Sequence, residues 1–222
     1  MLSAMRRSIP AKERVRINRI LRILEEAYPE AKVALNFSNP LEMLISTMLS
    51  AQCTDERVNM VTQNLFRKYR TPEDYAGSDI RQLEEDIKPT GFYRAKARNI
   101  RNACKMIVEK FNSQVPRSMS ELTSLPGVGR KTANIVLSNA YGIVEGIAVD
   151  THVARVSKRL KLTKANDPEK IEQDLMDKVP RDSWFQFTYR LIDHGRKICT
   201  ARKPLCNRCP LRKLCPSATK LE

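Results

Sequence analysis

Four cysteines crowd the last part of the chain: Cys199, Cys206, Cys209 and Cys215, spaced C-x6-C-x2-C-x5-C. Four thiolates so near one another along a loop can close tetrahedrally around zinc or hold the corners of an iron–sulfur cube. Two disulfides are the alternative, and a reducing compartment disfavours them. The spacing is not one of the common ferredoxin runs, so residue chemistry alone leaves the metal open. Basic residues thread the same loop. Arg202 and Lys203 lie between the first two cysteines, and Arg208, Arg212 and Lys213 come after. Whatever fixes this loop therefore holds up a surface suited to phosphate contact. Cys53 and Cys104 fall on apolar helical faces and read as core thiols.

A second stretch with chemical potential is Leu125-Pro126-Gly127-Val128-Gly129-Arg130-Lys131-Thr132-Ala133. Glycine permits tightly turned or left-handed backbone, and main-chain N–H groups can then point outward at the head of a helix. That is an arrangement for binding phosphate. The two glycines are too close for a Walker loop, and the third glycine of a dinucleotide fingerprint is missing. Further on, Asp150 precedes a helical pattern and reads as its N-cap, with His152 just inside.

The composition narrows the partner. With 40 Lys+Arg against 25 Asp+Glu, the 222-residue chain carries +15, which favours a polyanion bound in a salt-dependent way. No apolar run approaches the ~18 residues needed to cross a membrane. Met1–Arg7 lacks the apolar core of a secretory signal, so a cytosolic, reducing compartment is expected. Aromatic residues make up only 6%, few for a single-strand binder built on stacking platforms.

These groups must be positioned by helices. Ile17, Ile20, Leu21, Leu24 and Tyr28 form one stripe between Pro10 and Pro29. Residues 31–37 read as an extended linker. Leu41–Ala51 is apolar on most faces, and Asp55 can cap the next helix, which runs to about Tyr69. Two short helices come next, ending near Lys88. A long helix from about Tyr93 to Phe111 carries Ile100, Ala103, Cys104, Ile107 and Val108 at helical spacing, with Arg94, Lys96, Arg98, Arg101 and Lys105 on its polar face. Ser118–Leu125 and Arg130–Tyr141 flank the glycine turn. Three more helices, over about 150–162, 168–179 and 183–198, lead to the cysteine loop. The chain is expected to be all-α.

Taken together, Leu49-Ser50-Ala51-Gln52-Cys53-Thr54-Asp55, the 125–133 hairpin, Ala148-Val149-Asp150-Thr151-His152, His194-Gly195-Arg196 and the four cysteines resemble the endonuclease III family. The likeness runs from about Leu35 to Cys215. It implies two helical domains with DNA in the cleft between them: a six-helix domain over 33–143, and a discontinuous domain of 1–32 and 144–222. The latter carries a four-iron four-sulfur cluster in this family, and the four cysteines match its ligand positions.

The resemblance also implies roles. Gly127, Val128 and Gly129 would grip the DNA backbone through main-chain N–H groups. Gln52 would fill the gap left by the flipped base, and Phe92 sits where relatives carry an apolar wedge. Lys131 would attack the sugar C1′. An attacking amine must be neutral, and a seat in the first turn of a helix beside Arg130 opposes positive charge. Asp150 would orient the attacking group and stabilise positive charge on the sugar, with His152, Arg202 and Lys203 as DNA contacts. The implied activity is removal of oxidised pyrimidines from duplex DNA, with β-elimination at the abasic site. Lys131 separates this chain from relatives that lack the lyase step. A glycosylase for mismatched thymine or alkylated purine, and a non-catalytic metal-stapled DNA-binding protein, are the competing readings. The expected form is a monomer in the prokaryotic cytoplasm, associated with the nucleoid.

Overall fold

A computed structural model describes residues 9–218, so the Met1–Arg7 stretch lies outside the described residues. The described residues are helical with no strand, and none of their helices is long and apolar enough to cross a membrane. The chain divides into two compact units. One is Val33–Glu145; the other combines the chain up to Lys32 with the chain from Gly146 onward. The division falls two residues later than the 143/144 boundary implied by the resemblance.

Within the contiguous unit, helix α2 (Pro40–Leu49) starts where the Asn39 side chain accepts from the Glu42 N–H at 3.0 Å, with Pro40 in the first turn. Its residues from Met43 to Leu49 are all buried. A helix apolar on every side must be enclosed, and α2 packs on α3 (Asp55–Lys68), α6 (Tyr93–Lys110) and α8 (Arg130–Ala140). The cap of α3 is Thr54, whose hydroxyl accepts from the Arg57 N–H at 3.3 Å. Asp55 is instead the helix's first residue, where a negative charge suits the dipole.

A reciprocal Thr71–Asp74 capping box with Pro72 starts the five-residue α4 (Pro72–Ala76), and Asp79 caps α5 (Ile80–Ile87). With α7 (Met119–Ser124) the unit holds seven helices among its described residues. The resemblance implied six. The self-contained cap at Thr71 makes α4 an element of its own. On α6 Ile100, Ala103, Cys104 and Ile107 of the expected stripe are buried and Val108 is half-buried, but Lys96 is buried too, at 6% exposed, although helical spacing assigned it to the polar face.

In the discontinuous unit, Ile17, Ile20 and Leu24 of α1 (Ala11–Ala27) are buried, and this helix packs on α11 (Trp184–Lys197). Helix α11 packs in turn on α9 (Thr151–Arg159). Asp167 caps α10 (Pro168–Lys178). Beyond Ile198 the described residues form short 3-10 turns at Cys206–Arg208 and Arg212–Leu214.

Candidate functional site

The hairpin between α7 and α8 is built from inside outward. Leu122, Leu125 and Val128 are buried, and the Val128 N–H donates to the Leu125 carbonyl at 3.1 Å, closing the turn. Gly127 has φ +77°, and a Cβ there would come within 2.8 Å of the Asn99 side chain. Both the backbone conformation and the close approach of α6 therefore call for glycine. Gly129 has open space around it and is the N-cap of α8, with no side chain capping that helix.

The Val128 N–H is engaged within the turn and its side chain is buried. The exposed parts are Gly127, Gly129 and Lys131, the second residue of α8. A helix head with no side-chain cap presents N–H groups and positive dipole to solvent.

Gln52 and Phe92, also in this unit, share an unusual feature. Both are non-glycine residues with positive φ, 53° and 48°, a conformation that costs on the order of 1 kcal/mol and persists only where surroundings enforce it. Gln52 is exposed in the turn after α2, and the Cys53 N–H donates to the Ser50 carbonyl at 3.1 Å. Phe92 is the N-cap of α6 and is 65% exposed, so it is not a core aromatic. Cys53 lies half-buried in the Gln52 turn, not in the core. Cys104 is fully buried, and burial pushes its thiol up to about 12.

In the discontinuous unit, Asp150 is half-buried and caps α9, accepting from the Val153 N–H at 2.7 Å. His152 Nδ1 lies 3.0 Å from Arg155 Nη2. Burial lowers its pKa, Asp150 opposes that shift, and Arg155 and Arg196 reinforce it. A neutral ring then accepts from Arg155 through Nδ1. A Cβ on Gly195 would meet His152 Cβ at 3.0 Å, which explains the glycine between His194 and Arg196: α11 lies directly against the histidine.

The cysteine loop is organised differently. Cys199, Cys206, Cys209 and Cys215 line one small chamber together with Val156, Leu160 and Leu211, and no disulfide joins them. Burial pushes the Cys209 thiol up to about 11 and raises that of Cys215. Among the described residues no three His, Cys, Asp or Glu side chains converge closely enough to hold a single ion. Four soft donors spread around one apolar chamber fit a cluster with several metal corners better than a lone zinc.

Arginines hold this loop. Arg159 donates to the carbonyls of Cys199, Thr200 and Ala201 and to Cys199 Sγ, at 2.7–3.3 Å. Arg155 reaches the carbonyls of Cys199 and Gly195 at 3.1 and 2.9 Å. Arg16, fixed by Glu13 at 2.7 Å, bonds the carbonyls of Leu160 and Leu214, both at 3.0 Å. His194 Nε2 faces Cys209 Sγ at 3.7 Å while Nδ1 meets the Tyr28 hydroxyl at 2.9 Å. Arg202 and Lys203 are exposed at the loop's edge. None of these supports was assigned from sequence. The available signals were Arg155 and Arg159 four apart on α9 and His194 within the His194-Gly195-Arg196 run.

The sequence of the whole chain places this assembly among known proteins. Residues 45–181 match the profile of the HhH-GPD superfamily of base excision DNA repair proteins, and 199–215 match the iron-sulfur binding domain of endonuclease III. Endonuclease III of Synechocystis sp. (strain PCC 6803) is 51% identical over 217 residues, covering 98% of this chain and 99% of that protein. A solved non-covalent endonuclease III–DNA complex and a trapped endonuclease III–DNA covalent intermediate each match with TM-score 0.89 and 47% identity, over 93% of this chain and 97% of theirs. The chain thus belongs to the endonuclease III family: it is a base-excision-repair DNA glycosylase and abasic-site lyase, and its iron–sulfur segment carries a four-iron four-sulfur cluster.

Proposed function

We propose that this enzyme removes oxidised pyrimidines of the thymine glycol type from duplex DNA and then cuts the strand through Lys131. The observation that carries this reading is the exposed Lys131 in the first turn of a helix whose head has no side-chain cap, directly behind an exposed glycine hairpin. A phosphate gripped by Gly127, Gly129 and the head of α8 brings the sugar within reach of that amine. Lys131 Nζ attacks C1′ as the damaged base departs with its electron pair. The nitrogen gives up a proton, the C1′–O4′ bond breaks as O4′ takes a proton and the sugar ring opens, and the Schiff base so formed loses a proton from C2′ while the 3′ phosphate leaves by β-elimination. One Asp150 oxygen is spent on the Val153 N–H; in this reading the rest of the carboxylate orients the attacking group and balances positive charge on the sugar.

Gln52 and Phe92 enter the duplex, Gln52 taking the space of the flipped base and Phe92 unstacking a step. Cys199, Cys206, Cys209 and Cys215 are the cluster ligands. When bound, the cluster supplies a cross-link that fixes the loop, so that Arg202 and Lys203 meet phosphate. His152 is half-buried with Nδ1 engaged by Arg155, so its part is to shape the DNA-facing end of α9. The enzyme acts as a monomer on nucleoid DNA in the prokaryotic cytoplasm.

Borohydride trapping on a duplex with one thymine glycol tests the central step. Wild type forms a covalent adduct. Lys131→Gln forms none and loses strand cleavage by about 10³-fold or more while keeping its fold. An adduct of wild-type yield from Lys131→Gln would remove the lysine from the chemistry. Base release from mismatched-thymine duplexes but not from thymine glycol would replace the substrate.

A further inference from the structure

Lys96 is a buried lysine whose ammonium meets no carboxylate among the described residues. Its Nζ donates to the Leu49 carbonyl at 2.8 Å and to the Thr90 carbonyl at 2.7 Å. Burial lowers its pKa, and Cys53 is the ionisable neighbour that opposes this. Holding a cation in such a place is costly unless its donors are well used. The two acceptors show the use. Leu49 is the last residue of α2 and Thr90 the last of the 3-10 turn Lys88–Thr90. Both carbonyls therefore sit at helical C-termini, where acceptors are left unpaired and a cation is favoured.

Each carbonyl also stands at the root of an exposed turn. Gln52 comes three residues after Leu49, and Phe92 two residues after Thr90. Both are exposed, and both have positive-φ backbone. One ammonium thus joins the roots of two turns 47 and 6 residues away from it along the chain. The Lys96 N–H itself donates to the Phe92 carbonyl at 3.1 Å, so the same residue also fixes the start of α6.

We propose that Lys96 is a positioning residue that ties the Gln52 and Phe92 turns together, so that both side chains enter the duplex as one rigid wedge. This rests on the reading that Gln52 and Phe92 enter DNA. A wedge must not recoil when it separates stacked bases, and Gln52 and Phe92 both lie just outside the helices, in turns with no disulfide. Lys96 supplies that stiffness from below without occupying the surface that meets DNA.

The test uses Lys96→Met, which keeps the aliphatic stem and removes the donors, in the cluster-loaded enzyme. Amide hydrogen exchange should quicken in both turns, 50–53 and 90–93, and not elsewhere. Cutting at an abasic site in duplex DNA should fall about 10- to 100-fold, while the same site in a single-stranded oligonucleotide, which needs no wedge, is cut at the wild-type rate. Equal loss on both substrates, or faster exchange across the whole unit, would mean general damage and overturn the proposal; so would no loss on either. Gln52→Ala and Phe92→Ala separate the two readings. If they leave duplex cutting intact, the wedge itself has failed. If they reduce it and Lys96→Met does not, the tie has failed. Should Lys96→Met not fold, Lys96→Gln, with a shorter neutral donor, is expected to give the same duplex-only loss.

Discussion

The hairpin and the cysteine loop are both irregular segments that the enzyme must hold still, and they are held in opposite ways. The hairpin closes on itself. Val128 bonds Leu125 three residues back, Gly127 adopts its left-handed turn, and the open head of α8 comes at once. Its support from elsewhere is steric, the Asn99 side chain standing where a Cβ would go. The loop beyond Ile198 leaves many carbonyls unpaired by local bonds, and side chains distant in sequence take them up. Arg159 reaches 40–42 residues ahead and Arg16 spans 198 residues to Leu214. A local motif can be moved or copied as a unit, whereas a loop fixed by long-range donors is only as good as the helices that carry them. Iron then ties together what the arginines have already gathered.

The contrast can be broken first at Arg159. Arg159→Met removes donors from three loop carbonyls and one thiol, which should cost about 2–4 kcal/mol. Absorbance of the cluster near ~400 nm should bleach many times faster in air. Amide exchange in 125–133 should stay at the wild-type rate, because nothing in that hairpin depends on the arginine.

Gly127→Ala breaks the other side. A Cβ at φ +77° and 2.8 Å from Asn99 should destabilise the protein by about 1–3 kcal/mol, read as a lower thermal midpoint with cluster absorbance per molecule unchanged. Adding Asn99→Ala should return the steric part and leave the backbone strain. Gly129→Ala, with open space around it, should cost much less.

The smallest expected effect concerns the electrostatics of the loop. An iron-bound Cys209 is a thiolate and can only accept, so the Nε2 of His194 that faces it must carry the proton, and Nδ1 accepts from Tyr28. Tyr28→Phe weakens that donation, leaves more charge on sulfur and favours the oxidised cluster. The reduction potential should fall by tens of millivolts, measured by protein-film voltammetry, with borohydride trapping at Lys131 unaltered.

Much of this was legible before any coordinates. Periodicity placed the helices to within a few residues, because their buried faces repeat at the helical spacing. The glycine turn, the four cysteines and the Asp150 cap were legible because each is defined by residues close in sequence. The plainest departure came from a long-range contact. Lys96 obeys helical spacing onto a polar face and yet is buried, since two carbonyls from other segments wait for it.

The sequence by itself determined the all-helical class and the family, and it nominated Lys131 and the four cysteines for the proposed chemistry, since these depend on residue type and short spacing. Only the tertiary structure decided which polar groups are free to act. A cation or an N–H is available to DNA only if no carbonyl folded in from elsewhere has claimed it. That is settled by contacts over tens to hundreds of residues, which no local pattern records.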